Sequence, residues 1–238
     1  MSWTTGPLVG FDTETTGIDT ARDRIVTAAI IHDDGAGTLT THTWLLNPGV
    51  EIPTRASAVH GITTAMAQAS GVPPAPALAE IAQRLADALA AGIPIVAFNA
   101  AFDLSLLERE LCRYELPTLS SRGELCPVID PLVLDRVLDR YRRGKRRLAD
   151  LAAVYGLAEP EGLHTAEVDV ALTLGLIREM GQRYEQLAVT DPLTLHRHQI
   201  GWHREWAEDF NAWRERKGLS GPGANLRWPL DFEPTAGA

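Results

Sequence analysis

The sequence predicts an α/β fold: a mixed, five-stranded sheet covered by helices. Three observations predict it. Strand-like runs crowd the start of the chain, shorter apolar runs then alternate with amphipathic helical stretches, and turn-forming residues separate them. Residues 8–14, 24–31 and 38–46 read as strands. Asp33-Asp34-Gly35-Ala36-Gly37 is turn chemistry, so these three form a meander. Asn47-Pro48-Gly49 stops the third strand. Pro73-Pro74-Ala75-Pro76 closes a short helical region and opens a helix over 77–90, where Leu78, Ile81, Leu85 and Leu89 recur at helical spacing. Residues 93–98 are apolar enough for a buried parallel strand. A helix over 101–114, carrying Leu104, Leu107 and Leu111, follows it. Residues 128–130 make a brief last strand, and helices over 131–138, 147–155 and 166–184 complete the unit.

Thr190-Asp191-Pro192 marks a boundary, which divides the chain into a domain over 1–190 and a helical extension and tail over 191–238. Residues 196–217 are rich in tryptophan and charge, and the Gly/Pro-rich stretch 218–238 reads as an extended tail. With 238 residues, 45% hydrophobic and 22% charged, the chain can bury a full core, so a disordered chain is excluded. A net charge of −9 argues, taken globally, against a nucleic-acid binder. Excess acid is also what a metal site needs, because bound cations reverse the local field. The two cysteines, Cys112 and Cys126, form no CxxC pair, which speaks against a zinc site or a disulfide framework and for a reducing cytoplasm. The first residues lack a signal-peptide pattern, and no apolar run is long enough for a bilayer, so no membrane is expected.

Five side chains stand out. Asp12 and Glu14 lie two apart on a strand and so share a face, where they suit a common cation and would repel each other without one. Asp103 falls on the first turn of a helix, just past a buried strand; by itself it would be an ordinary helix-start residue. His164 and Asp169 straddle a helix start with Thr165 at the N-cap position. That leaves Asp169 on the first turn and His164 on the lead-in loop, where an imidazole titrating near neutrality suits a general base. Thr15-Thr16-Gly17 ends the first strand, and its amides and hydroxyls could hold a terminal sugar or phosphate. Acidic residues from separate elements make sense together when divalent cations neutralise them.

In combination these residues resemble the DEDDh branch of the DnaQ-like 3′-5′ exonucleases, which includes the proofreading epsilon subunit of bacterial DNA polymerase III, ribonuclease T and oligoribonuclease. Asp12 and Glu14 match the first motif, Asn99, Phe102 and Asp103 the second, and His164 and Asp169 the third. The resemblance covers roughly residues 8–180 and leaves out those after about 191. It implies a ribonuclease H-like fold and two ions, Mg²⁺ or Mn²⁺, held by Asp12, Glu14, Asp103 and Asp169. It also implies His164 as general base, attack of water on the terminal phosphodiester of DNA or RNA, and release of nucleoside 5′-monophosphates. Residues Val59-His60-Gly61-Ile62-Thr63 resemble a segment that borders the 3′-terminal nucleotide in this family, so His60 joins Thr15, Thr16, Asn99 and Phe102 as substrate-binding candidates. The implied partners are single-stranded or frayed 3′ ends and a DNA polymerase subunit, which points to replication, repair and proofreading.

Two further stretches bear on a polyanionic substrate. Arg136, Arg140, Arg142, Arg143, Lys145, Arg146 and Arg147 form a basic run that can track a backbone. Trp202, Trp206, Phe210 and Trp213 fall on one side of a helix, read first as a stripe docked on the domain and alternatively as a base-stacking or partner surface. His196, His198 and His203 have no metal-ligand spacing with carboxylates. Two rival functions remain. A non-catalytic nucleic-acid-binding or polymerase-associated module would bind single strands without degrading them. A haloacid-dehalogenase-type phosphatase would use Asp12 as a covalent nucleophile, but it has no role for His164 and Asp169.

Overall fold

The structure, a computed structural model, describes residues 2–157 and 165–234. Three strands open the fold as a meander: β1 (Leu8–Thr15), β2 (Ile25–Asp33) and β3 (Leu39–Leu45), paired antiparallel. Two short helices follow, α1 (Thr54–His60) and α2 (Thr64–Ser70), and then α3 (Pro74–Ala90). Pro74 and Pro76 lie inside the start of α3, where the amide that proline lacks has no helical partner anyway, so the helix begins earlier than the proline cluster suggests. The fourth and fifth strands, β4 (Ile95–Val96) and β5 (Val128–Ile129), are only two residues each. β4 pairs parallel with β1 and with β5, giving the order β3-β2-β1-β4-β5. The mixed sheet expected from the sequence is therefore present, with shorter parallel strands than the apolar run 93–98 implied.

Helices cover both faces. On one side, α3 and α4 (Ala100–Arg113) bury Leu78, Ile81, Leu85, Leu104, Leu107 and their neighbours against Val9, Phe11 and Ile95. On the other, α8 (Ala166–Arg183) lays Val170, Leu174 and Ile177 over Leu8, Ala29 and Val96. A short α5 (Leu119–Arg122) precedes β5, and α6 (Pro131–Leu138) and α7 (Leu148–Val154) lead towards α8. Gly10 makes the β1–α8 approach possible: a Cβ there would stand 2.4 Å from Val170 Cγ1.

The C-terminal region continues the packing. After α9 (Glu185–Val189), the long α10 (Pro192–Arg216) sets His196 and Gln199 against the outer edge of the sheet. There the amides of Val128 in β5 and of Asp130 just beyond it donate to His196 Nδ1 (3.1 Å) and Gln199 Oε1 (2.8 Å). The stretch after α10 is irregular, but Trp228 and Leu230 are buried in the α3–α4 core rather than trailing in solvent. Its composition signals only the lack of repeating backbone structure; two apolar side chains are enough to anchor it.

Candidate active site

β1, β4 and β5 all run towards one end of the sheet, and the site is built where they stop. Side chains alternate along β1, so Leu8, Gly10, Asp12 and Glu14 share the face turned to α8. Asp169, on the first turn of α8, meets the two β1 carboxylates there. Oxygens of Asp12, Glu14 and Asp169 lie within 4.8 Å of one another. Thr165 occupies the N-cap position of α8, as expected, but its side chain caps no amide. His164 lies outside the described residues.

Asp103 approaches from the opposite face. Its Oδ1 accepts from the Thr13 amide (3.1 Å) and hydroxyl (2.6 Å), and it is 3% exposed. It does not belong to the three-carboxylate group, yet it is close enough to act on Asp12. A sharp turn aims it. Asn99 holds a left-handed backbone (φ 61°) that ends the β4 run and starts α4. The buried Asp130 carboxylate fixes that turn by accepting from the Asn99 amide (3.0 Å) and the Ala100 amide (2.9 Å). Phe102 packs sideways onto the α3–α4 core.

The carboxylates are held against their preference. Burial, then Asp103, Asp169 and Glu14, raise the Asp12 carboxyl well above its ordinary range. Burial and the charges of Asp169, Asp103 and Glu167 lift Glu14 from 4.5 to about 8. Burial lifts Asp103 to about 7 although the Thr13 hydrogen bonds oppose it. Such crowding costs free energy unless a cation is present. All the donors are hard oxygens, which fit a divalent ion of the Mg²⁺ or Mn²⁺ type better than a thiol- or imidazole-seeking one.

The remaining candidates divide. His60 is buried, and its Nδ1 accepts from the Ile62 amide (3.1 Å), which leaves Nε2 without a partner among the described residues. It lines a cavity of about 200 Å³ with Glu14, Trp44, Ile62, Thr165 and Glu167, so it opens directly beside the carboxylates. The Thr15 and Thr16 hydroxyls serve the turn itself. Thr15 donates to the Gly17 carbonyl (2.6 Å), while Thr16 donates to Asp23 (2.7 Å) and accepts from the Arg24 amide (3.0 Å). Among the basic run, Arg142 and Arg146 converge on the fully buried Asp135, and Arg147 pairs with Asp150. Arg142 and Arg146 are therefore internal struts, whereas the Arg147–Asp150 pair lies at the surface.

Sequence reading missed Asp130 as a positioning residue. Asp130-Pro131 does signal a helix start, with Asp as cap and Pro first in the helix. Nothing local says that the same carboxylate also reaches 31 residues back to Asn99. It missed the tail as well. Trp228 Nε1 donates to Asp130 (3.3 Å), and Asp231 bridges Arg109 (2.9 Å) of α4 to Thr20 (2.6 Å) beyond β1.

Against known proteins, the sequence profile of a family described as exonuclease matches residues 9–177. The chain belongs to this exonuclease family. A DNA polymerase III subunit epsilon-like protein of Rhodobacter capsulatus is 38% identical over 169 residues, 69% of this chain and 22% of that protein. The DNA polymerase III subunit epsilon of Treponema pallidum is 30% identical over 171 residues, 71% of this chain and 74% of that one. E. coli exonuclease I, solved in a zinc-bound complex with single-stranded DNA, superposes with a TM-score of 0.67 at 20% identity, over 84% of this chain and 43% of that one. The exonuclease I of Methylocaldum szegediense gives 0.61 at 22% identity, over 76% and 42%. The chain thus spans about a fifth of the first relative and about two-fifths of these exonuclease I chains. The structural likeness supports the ribonuclease H-like sheet, and the family resemblance read from the three carboxylate motifs holds. Among the described residues no helix is long and apolar enough to cross a membrane.

Proposed function

We propose that this exonuclease-family chain removes nucleotides one at a time from the 3′ end of single-stranded or frayed DNA, with RNA as the alternative substrate, releasing nucleoside 5′-monophosphates. The observation that carries the reading is the meeting of Asp12, Glu14 and Asp169 within 4.8 Å, with Glu14 lifted to about 8. These three would hold a Mg²⁺ or Mn²⁺ ion, and Asp12, with Asp103 beside it, would serve a second. Bound there, the cations acidify the attacking water and neutralise charge on the phosphate. The chain's own groups do the rest. His164, two residues before α8 in the sequence, would serve as the base that accepts a proton from water. Asp103 is kept in register by Thr13 and, through the Asn99 turn, by Asp130. The cavity beside Glu14 lined by His60, Trp44 and Ile62 accepts the terminal nucleoside, and Asn99, Phe102, Thr15 and Thr16 are further candidates for contacting the substrate. The names of the polymerase III relatives suggest a DNA polymerase subunit as partner, with a part in replication, repair or proofreading. The unpaired Cys112 and Cys126 suit a reducing cytoplasm.

The test is purified protein with Mg²⁺ on 5′- and 3′-labelled DNA and RNA oligomers. A stepwise ladder from the 5′-labelled strand, with monophosphates as product, is the expected result. Tight single-strand binding without Mg²⁺-dependent shortening would instead point to a non-catalytic module. Inorganic phosphate released from small monoesters would point to a phosphatase.

A further inference from the structure

The outer half of α10 carries aromatic and basic side chains that the site does not use. Its inner half, with His196 and Gln199, is buried against β5. Beyond His203 the same side of the helix presents Trp206, Phe210 and Trp213, spaced four and three residues apart. Their rings form a ladder. Trp206 and Phe210 stack at 5.4 Å and 16°, and Phe210 and Trp213 at 5.8 Å and 26°. The Arg136 guanidinium, 3.3 Å from the Trp206 ring centre, closes the inner end. The outer end is open, because Trp213 is 43% exposed.

Cations line this ladder. Arg214 stands 5.9 Å from the Phe210 ring centre, and Arg216 and Lys217 follow Trp213 by three and four residues, the helical spacing that places them beside it. Glu208 and Glu215, at about 100° per residue, fall on the other side of the helix. Asp209 is neutralised by Arg140 (3.3 Å), and this pair draws the segment after α6 alongside. That segment is held from beneath by Arg142 and Arg146 on Asp135. It presents Tyr141, 90% exposed, with the exposed Arg143 and Lys145, which form no ion pair among the described residues.

We infer that this face of α10, together with Tyr141, Arg143 and Lys145, is a contact surface for single-stranded nucleic acid away from the 3′ terminus. The inference rests on the exonuclease reading and adds a second contact region to it, in residues outside the family match at 9–177 for α10. The chemistry of the face favours a nucleic acid on two counts. Flat rings offer a stacking face to any base, and guanidinium and ammonium groups among them offer partners to phosphates. A protein interface also gathers arginine and aromatic rings but is depleted of lysine, whereas Lys145 and Lys217 stand exposed on this face. The inner end of the ladder also lies near the catalytic scaffold, since Arg136 feels the charge of Asp130, which fixes the turn leading to Asp103.

The experiment measures fluorescence anisotropy of labelled oligothymidylates in EDTA, where no cleavage occurs. The wild type should bind a twenty-nucleotide strand at least about tenfold tighter than a four-nucleotide one, the order expected when additional bases stack on exposed rings. The double variant Tyr141→Ala/Trp213→Ala should reduce that ratio to within about twofold, and Arg216→Gln/Lys217→Gln, two exposed cations, should flatten the salt dependence of binding. Both pairs are partly or fully exposed, so circular dichroism should match the wild type. An undiminished length ratio in the aromatic variant, or a wild type blind to length, overturns the inference and leaves the face to a protein partner. Because binding is read without cleavage, an inactive protein in the Mg²⁺ assay would count against the exonuclease reading and leave this measurement to decide separately.

Discussion

At the residue scale, the site is a set of charges that resist being together. Asp12→Asn removes one of them and should abolish activity while weakening Mn²⁺ binding; titration calorimetry with unchanged Mn²⁺ affinity would remove Asp12 from the ligand set. On the proposed mechanism, in which His164 is a proton acceptor and not a cation ligand, His164→Ala should lower kcat by about 10²–10⁴ with metal binding kept. The raised carboxyls also set a pH dependence. Glu14 rises from 4.5 to about 8 and Asp103 from 3.8 to about 7, so between those limits the folded protein binds more protons than the unfolded chain. Stability then falls as pH rises through this window, and below it the effect vanishes because both states are protonated. In EDTA the melting temperature should therefore be higher at pH 5.5 than at pH 8.5. Added Mn²⁺ should raise it more at the higher pH, where the carboxylates are already ionised. A metal-free melting temperature that climbs with pH would show that the burial and crowding of these carboxylates do not govern the stability of the fold.

At the scale of elements, the site depends on how closely α8 approaches β1. Gly10 sets that distance, with its missing Cβ 2.4 Å from Val170 Cγ1 and 3.0 Å from Leu174 Cγ. Gly10→Ala overpacks the interface and should cost about 1–3 kcal/mol. Val170 adjoins Asp169, so the same change should also weaken Mn²⁺ binding; a destabilised protein with intact affinity would mean that α8 shifts without moving Asp169. The sequence makes part of this visible. Alternation along 8–14 already put Asp12 and Glu14 on one face, and the expected helix starts, with Thr165 as N-cap of the second, placed Asp103 and Asp169 on first turns. It could not show that Asp103 comes from the other face and is held by Thr13, since that depends on which helix covers which side of the sheet. The length of β4 was overestimated for a related reason. An apolar run fixes burial, but only the partner strands decide how much of it is paired.

At the scale of the whole molecule, the C-terminal stretch closes the fold over the scaffold of the site. Composition marked it as a tail because Gly and Pro deny it a helix or strand, but its anchoring depends on a few long-range contacts that no local pattern displays. Trp228 fills the α3–α4 core and donates to Asp130, while Asp231 ties α4 to the loop beyond β1 and its amide donates to Ser105 (2.7 Å), two residues after Asp103. Two substitutions separate packing from positioning. Trp228→Ala empties a buried site and should cost about 3–5 kcal/mol, a large share of a typical domain's stability. For a chain of this size that lowers the melting temperature by about 2–4 °C per kcal/mol. Trp228→Phe keeps most of the apolar contact and deletes only the indole donor, so its stability loss should be near 1 kcal/mol. If the tail also steadies the Asp130–Asn99 turn, Trp228→Phe lowers kcat more than its small stability loss explains, with KM for a short oligonucleotide little changed. Equal kcat in wild type and Trp228→Phe would confine the tail to holding the core together.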